Sequence, residues 1–506
     1  MPFKPPFGFN VMGCASGNFG EAVVLRSTIR VLLDGGYRVA VRNFETGDGR
    51  SGQDRSYESL YVGSNREQPY AVNLFGFNPP TLWTLVQREW LTVPFEKRIN
   101  VMLPAWELDV LPPAWREGFE MMDVVLTSSE FVADVIRRAM PDLPVLRVYT
   151  AVYLPEDVTP DRARWGLADD ETVFFLAFDV TSDMHRKNPW AGIRAFQRAF
   201  PAGGGDRVRL LVKLSNARVD PAYADLVDEL DAIAATDPRI TLIEEQQSYR
   251  DALGLYASSD VFVSLHRAEG LGLVLMEAMS LGKPVIATAY SGSMDFTTPE
   301  NAALVDFELI PVEALHHAYQ DAQTGGGARW AEPSVEHAAE WMTRLASDPA
   351  LRDRLGRQAA ADMDARRAAH REGAAFKQLE EFARTYDLTG SEHRERARKL
   401  RAMRWAAALK LPLRAVRRAA RELLRVLKPG GFLQFSITHP ASSTPEREWI
   451  HSPDGAKRLL ATGGYFDEGP ITESWTFGSA PDDLRARHEP QQCSADHHRR
   501  FRRLYA

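Results

Sequence analysis

The feature that most constrains the fold is an alternation of short apolar runs with amphipathic helical stretches, played out twice along the chain. In the first pass Phe7 to Met12 reads as a strand, Gly13 to Gly20 as a glycine-containing turn, and Glu21 to Leu33 as a helix. Further strands are expected at Arg38 to Val41, Ala71 to Phe75, Ile99 to Leu103, Val124 to Thr127 and Val145 to Val148. Helices are expected at Thr81 to Glu89, Pro113 to Met121 and Glu130 to Met140. After a polar, proline-containing segment at 155–170 the pattern restarts, with strands at Thr172 to Phe178, Val208 to Leu214, Ile240 to Ile243, Val261 to Leu265 and Pro284 to Thr288. Helices at Pro189 to Phe200, Tyr223 to Ala235, Tyr249 to Ala257 and Leu273 to Leu281 alternate with them. Such a pattern builds a parallel sheet wrapped by helices, here two of them. Ligands of doubly wound sheets bind beyond the carboxyl ends of the strands, and two facing units create a cleft.

At 506 residues the chain exceeds what one hydrophobic core serves, in keeping with two domains and an additional part. Hydrophobic residues at 44% supply sizeable cores, and a net charge of −7 argues against nucleic-acid binding by the whole protein. Only Cys14 and Cys493 occur, so a disulfide framework is not expected and a reducing cytosol fits. The start of the chain lacks the long apolar segment of a signal peptide, and no apolar run is long enough to span a bilayer. The expected location is the cytoplasm, with peripheral contact at the inner face of the membrane as the alternative.

The most informative passage is Ser264-Leu-His266-Arg-Ala-Glu269-Gly270-Leu271-Gly272, followed by Glu277 and the Gly282-Lys-Pro-Val strand entry. A buried strand ends near Leu265, glycines let the backbone approach a ligand, and a helix begins near Gly272. Free N–H groups at that helix start suit a phosphate. Glu277 lies about one and a half turns into the helix, placed to accept hydrogen bonds from ribose hydroxyls. A second cluster, Asp179-Val-Thr-Ser182-Asp-Met-His185-Arg186-Lys187-Asn188-Pro189, follows the first strand of the second unit. It puts Arg186 and Lys187 at the mouth of the cleft, where cations neutralise charge growing on a departing diphosphate.

The two glutamates seven residues apart, in this glycine setting, resemble the Glu-x7-Glu motif of retaining glycosyltransferases, family 4 in particular, over about residues 1–390. The resemblance implies an α/β fold of the GT-B type, with two Rossmann-like domains facing across a cleft. It also implies a nucleotide-diphosphate sugar as donor substrate, no cofactor and no catalytic metal. On that carry-over Glu277 binds the donor ribose and Glu269 lies close to the sugar. His266, Gly270, Leu271, Gly272, Ser291 and Gly292 belong to the donor site, and Arg186, Lys187 and Glu269 form the catalytic group. Lys187 matches the family's lysine, whereas Arg186 lacks the usual arginine spacing.

Gly13-Cys14-Ala-Ser-Gly17-Asn18-Phe-Gly20 resembles the first-domain glycine loop of the same enzymes, abutting the donor phosphate or the acceptor, with a plain tight turn as the competing reading. Trp106-Glu107 looks like the Trp-Glu segment of some members, where an aromatic face beside a carboxylate suits stacking and hydrogen bonding to a sugar at the acceptor or phosphate loop; core packing of Trp106 is the competing reading. No histidine occurs from Asn73 to Asn78, where many relatives place one. The Ser291 to Asp295 turn is a further candidate for sugar or phosphate contacts through its amides and Asp295, with a structural turn as the alternative. His185, His316, His317 and the His497-His498 pair have no metal-ligand context and read as solvent-exposed.

The domains are drawn at 1–165 for the acceptor, 166–388 for the donor and its closing helices, 389–414 for a basic helical linker and 415–506 for a C-terminal α/β fragment. That fragment, with Leu423 to Ser436, Thr438-His-Pro440 and Gly464-Tyr-Phe466, resembles the late part of class I S-adenosylmethionine-dependent methyltransferases. The glycine-rich cofactor loop is missing upstream, so it is expected to be a truncated remnant that binds no S-adenosylmethionine. The arginine-rich stretch before it reads either as a solvated linker helix or as a helix on an anionic membrane surface. The function expected is sugar transfer to the hydroxyl of a saccharide or glycolipid acceptor with retained anomeric configuration, in polysaccharide or glycoconjugate synthesis. Two rival readings are a non-catalytic nucleotide-sugar-binding or scaffold protein and, third, a saccharide methyltransferase.

Overall fold

The structure is a computed structural model that describes residues 6–45, 52, 54–64, 67–87, 95, 97–202, 207–315, 317–408, 447–451 and 457–461. It divides into two compact units, Met1–Arg404 and Trp405–Ala506. The first unit holds both predicted sheets.

The first sheet is built from β1 (Phe9–Gly13), α1 (Gly20–Asp34), β2 (Val39–Asn43), β3 (Val72–Gly76), α2 (Pro79–Gln87), β4 (Ile99–Met102), α3 (Arg116–Phe119), β5 (Val124–Thr127), α4 (Glu130–Ala139) and β6 (Val145–Arg147). Its strands run in the order β2-β1-β3-β4-β5-β6, all parallel. Strands β1, β3, β4 and β5 are buried along their whole length because helices cover both faces, which is why they read as unbroken apolar runs. Helix α4 begins where the Ser129 hydroxyl accepts from the Val132 amide at 3.3 Å, and ends on Arg137 and Arg138, which complement its dipole.

The second sheet repeats the plan with β7 (Thr172–Asp179), α5 (Met184–Lys187), α6 (Pro189–Ala199), β8 (Val208–Ser215), α7 (Ala224–Thr236), β9 (Ile240–Ile243), α8 (Tyr249–Ser258), β10 (Val261–Ser264), α9 (Leu273–Ser280), β11 (Val285–Thr288) and β12 (Ala303–Val305). The order is β12-β11-β10-β7-β8-β9, again parallel. Two cores flank it. One holds Phe174, Phe196, Phe200 and Met342, and the other Phe175, Phe262, Tyr256 and Met279.

A hairpin with an inserted helix follows, β13 (Phe307–Pro311), α10 (His317–Gly326) and β14 (Arg329–Pro333). The sequence reading passed over it, because β13 is largely exposed and shows no burial alternation. Helices α11 (Val335–Ser347), α12 (Pro349–Glu372), α13 (Ala374–Thr385) and α14 (Ser391–Ala408) then carry the chain back to the first sheet. There Phe376 meets Phe9 edge to face at 5.8 Å, and the Arg366 guanidinium donates to the Thr150 carbonyl at 2.8 Å.

A row of buried polar groups crosses the first sheet near the amino ends of its strands. The Asn10 amide donates to Asn73 at 3.0 Å, Asn73 donates to Asn100 at 3.0 Å, and the Asn100 backbone N–H donates to Asp123 at 2.8 Å. Asp123, fully buried, also accepts from the Tyr386 hydroxyl at 2.6 Å and is paired with His393 and Arg396 of α14 at 3.3 Å each. Arg396 and Lys399, two charges of the predicted basic linker, are thus engaged with Asp123 and Glu120 of the first domain. The methyltransferase-like segment lies outside the described residues, except for an antiparallel pair in the second unit, β15 (Arg447–His451) and β16 (Lys457–Ala461).

Candidate functional site

The turn from β10 into α9 forms the centre of the site. Strand β10 ends at Ser264 between β7 and β11, so the residues after it emerge at the switch point of the second sheet. His266 is fully buried, and burial lowers its imidazole to about 4, so it is neutral. Its Nδ1 lies 3.0 Å from Ser264 Oγ and its Nε2 3.4 Å from both the Tyr290 carbonyl and Ser293 Oγ. The ring therefore ties this turn to the neighbouring turn after β11. Gly272 stands at the cap of α9 with φ +95°, a left-handed conformation that a side chain would strain. Among the described residues the N–H groups of Gly270, Leu271, Gly272, Leu273 and Val274 meet no protein acceptor. Donors and helix dipole converge there on any anion.

The charged groups come from α5. Asp183 caps that single turn, accepting from the His185 and Arg186 amides at 3.0 and 3.3 Å. Arg186 is only 3% exposed. Its guanidinium donates to the Ser182 carbonyl at 2.9 and 3.1 Å and to the Ala268 carbonyl at 2.8 Å, and pairs with Glu269 at 3.3 Å. The expectation that Arg186 stands at the cleft mouth is thereby corrected. Its short, inward-turned helix walls it in as a brace under the 268–270 backbone. Lys187 forms a short ion pair with the same carboxylate. Burial alone raises the Glu269 carboxyl, but Lys187 and Arg186 outweigh it and hold it down at about 2. Lys187, Ser264, Glu269, Phe178 and Val274 line a pocket of about 230 Å3, counting space open to solvent.

Glu277 sits one turn into α9, 9% exposed, and accepts from the Tyr249 hydroxyl at 2.9 Å and from Tyr256. Burial raises its carboxyl to about 7 against the pull of both phenols. These tyrosines escaped the sequence reading. They are seven residues apart on α8, hence on one face of that helix, and this spacing of aromatic residues with polar tips was the available signal.

The first domain closes over this turn. Gly20 opens α1 facing Leu273, whose methyl lies 3.7 Å from where a Gly20 Cβ would be. Gly17 lends its carbonyl to Arg26 at 2.6 Å, Asn18 is exposed, and Cys14 is half-buried. Ser129 Oγ donates to the Gly270 carbonyl at 2.5 Å. Ser291, at φ +67°, accepts from the Glu269 amide at 2.8 Å, and the Gly292 amide donates to the Glu269 carbonyl at 2.8 Å. Leu271 is buried in the second core.

Of the two readings of Trp106, core packing is the one found. It is 2% exposed and its ring lies 4.5 Å from Trp115 and 5.5 Å from Tyr319, leaving no face for a sugar. Glu107 beside it is half-buried and accepts from the Tyr319 hydroxyl at 2.8 Å. Asp295, expected at the ligand, instead joins the domains. It accepts from the Glu130 amide at 3.0 Å and pairs with Arg147 at 2.7 Å. His185 is half-buried and stacked on Trp190 rather than exposed, while His316 and the terminal histidine pair lie outside the described residues. Among the described residues no group of three or more His, Cys, Asp or Glu side chains is placed to hold a metal ion, and no helix is long and apolar enough to cross a membrane.

Residues 236–322, which span α8 to α10, match the family model described as glycosyl transferases group 1. The D-inositol 3-phosphate glycosyltransferase of Mycobacteroides abscessus is 29% identical over 203 residues, 40% of this chain and 43% of that protein, so the match spans less than half of that relative. Two solved structures share the arrangement. The sucrose-phosphate synthase of Thermosynechococcus elongatus has a TM-score of 0.51 at 16% identity, covering 74% of this chain and 99% of that one. HepE of Anabaena, in complex with UDP and glucose, has a TM-score of 0.52 at 15% identity, covering 74% and 100%. At such identities the structural likeness establishes the fold. The chain has the GT-B fold of two facing Rossmann-like domains, with a glycosyl transferases group 1 segment around the β10–α9 turn.

Proposed function

We propose that this protein is a glycosyltransferase that moves a sugar from a nucleotide-diphosphate donor to an acceptor hydroxyl, without a metal and with retained anomeric configuration, as family 4 enzymes do. The observation that carries the reading is the start of α9. Among the described residues five consecutive backbone N–H groups meet no protein acceptor, beside Lys187 and one turn before Glu277. That set suits a diphosphate at the amides and a ribose at the carboxylate. Bond cleavage places negative charge on the departing nucleotide, and donors fixed by the fold stabilise it without reorganising. Lys187 exchanges Glu269 for the phosphate in the loaded site, while Arg186 keeps Glu269 ionised and in place. The pocket beside Lys187 is too confined for a nucleotide sugar, and in this reading the two domains part to admit the donor.

The acceptor class is a saccharide or glycolipid of polysaccharide or glycoconjugate synthesis, which places the reaction in the cytoplasm, at or near the inner membrane face. The test is a panel of UDP-, GDP- and ADP-sugars screened by thermal stabilisation and by nucleotide release, with EDTA present. One donor should raise the melting temperature and be consumed. Glu277→Ala should abolish its binding, Lys187→Ala should cut turnover about a hundredfold or more, and NMR of the product should show the donor's anomeric configuration. Failure of every donor to bind or react would refute the reading.

A further inference from the structure

The histidine that the family resemblance implies after a first-domain strand is missing from this chain, whereas the loop after β4 carries a carboxylate against the β10–α9 turn. After β4 the chain runs through Trp106 and Glu107 directly over Gly270. A Cβ built on Gly270 would lie 2.5 Å from the Trp106 carbonyl oxygen and 3.7 Å from Glu107 Cγ. Glu107 is thus a first-domain side chain stationed, like Ser129, against the backbone next to Glu269. It is near enough to Arg186 and Lys187 for its charge to act on both cations.

Its carboxylate is held by the donor domain. Tyr319 Oη donates to Glu107 Oε2 at 2.8 Å, from an α10 that the β13–β14 hairpin carries across to the first domain. The aromatic ring of Tyr319 is fixed between Trp106 at 5.5 Å and the Arg186 guanidinium at 5.9 Å. Around it the Arg329 amide donates to Asp109 at 2.9 Å, and the Leu315 amide donates to Asp183, the cap of the helix that bears Lys187, at 2.8 Å. The insert therefore touches both the Glu107 loop and the Lys187 loop. Among the described residues Glu107 Oε1 has no protein donor, although the residue is half-buried. A carboxylate fixed through one oxygen and open at the other is built to receive a hydroxyl.

We infer that Glu107 binds the acceptor, its Oε1 accepting a hydrogen bond from a hydroxyl of a neutral saccharide or polyol, and that Tyr319 is the residue that positions it. The inference rests on the glycosyl-transfer reading above and assigns the half of the site that reading leaves open. When the hydroxyl oxygen bonds to the anomeric carbon and the bond to the diphosphate breaks, the hydroxyl proton passes to the departing diphosphate, and Glu107 itself takes up none. The carboxylate orients the hydroxyl while the departing diphosphate is stabilised on the other side. A phosphate next to the reacting hydroxyl would face Glu107 across the same gap, so neutral acceptors are preferred.

The full chain, with Glu107→Gln and Tyr319→Phe variants, tests this. The acceptor probe is the best of methyl α-glucoside, methyl α-mannoside, glycerol and myo-inositol, used with the nucleotide sugar that the wild type consumes. Glu107→Gln should raise the KM for that acceptor about tenfold or more and leave the donor KM within about twofold. Tyr319→Phe should move the acceptor KM in the same direction by a smaller factor. Unchanged melting temperatures for both would show that folding is not what failed, and a fold defect in Glu107→Gln leaves Tyr319→Phe to decide. An unchanged acceptor KM, equal loss for donor and acceptor, or a wild type accelerated by none of the four probes would overturn the inference while donor turnover stands. A wild type that turns over no nucleotide sugar would overturn the underlying reading instead.

Discussion

Replacing Glu277 with glutamine separates the charge of this side chain from its shape. The wild-type carboxyl is lifted from an ordinary 4.5 to about 7, by burial first, with the hydroxyls of Tyr249 and Tyr256 pulling the other way. At about 1.4 kcal/mol per pH unit that gap is worth roughly 3 kcal/mol. Its sign follows from proton binding. Between about pH 4.5 and 7 the folded chain keeps a proton on Glu277 that the unfolded chain has lost, so this group's contribution to stability falls as pH rises through that window. Above about pH 7 the loss is complete. Glutamine carries no proton to lose, and every distant group titrates alike in both proteins. The variant should therefore gain on the wild type between about pH 5 and pH 8. With about 2 °C per kcal/mol for a large domain, the difference in melting temperature should widen by about 5 °C. Differential scanning fluorimetry across that range reads it directly. At pH 8 the same variant should bind the nucleotide sugar more weakly, because the neutral amide replaces an ionised acceptor for the ribose. Melting temperatures whose separation is independent of pH would refute the argument from the buried charge.

Three further outcomes follow from packing. In Gly292→Ala the new methyl would collide with the backbone carbonyls of Gly270 and Glu269, so a loss of about 3 kcal/mol and of donor binding is expected in thermal melts and ligand-shift assays. Gly254→Ala in α8 is the contrasting case. Its nearest neighbour, the Thr159 carbonyl, is 3.9 Å from the new Cβ, and the helix should gain about 0.5–1 kcal/mol by the same melts, with donor binding unchanged. Stopping the chain after Leu388 removes His393 and Arg396 from the fully buried Asp123 and should destabilise the first unit by roughly 3 kcal/mol in chemical denaturation; a transition midpoint equal to that of the full chain would contradict it.

Much of the architecture could be read from the sequence because its determinants are local. Strands such as β1 and β10 are buried on both faces, and helices such as α4 carry their own caps and periodicity. The β10–α9 turn was legible for the same reason, since its glycines, His266 and both glutamates lie within one crossover. What escaped depends on pairs far apart in the chain. Asp295 meets Arg147 across 148 residues and Glu107 meets Tyr319 across 212, and no periodicity announces either pair. Arg186 was misplaced, and Trp106 left open between two readings, for a related cause. Both residue types suit a ligand site and a buried brace equally, and only the neighbours brought by the fold decide.

The polar row through Asn10, Asn73 and Asn100 ends on an aspartate whose other partners arrive late. Asp123 waits for His393, which the ribosome supplies 270 residues afterwards, once the whole second sheet has been made. During synthesis the nascent first domain must carry that carboxylate hydrated at its unfinished edge, with Phe9 of β1 short of its edge-to-face partner until Phe376 arrives. The packing of the first sheet is therefore completed by residues from the far end of the unit. A half-made chain thus holds an incomplete first domain, short of the partners that its buried aspartate and its first strand receive last.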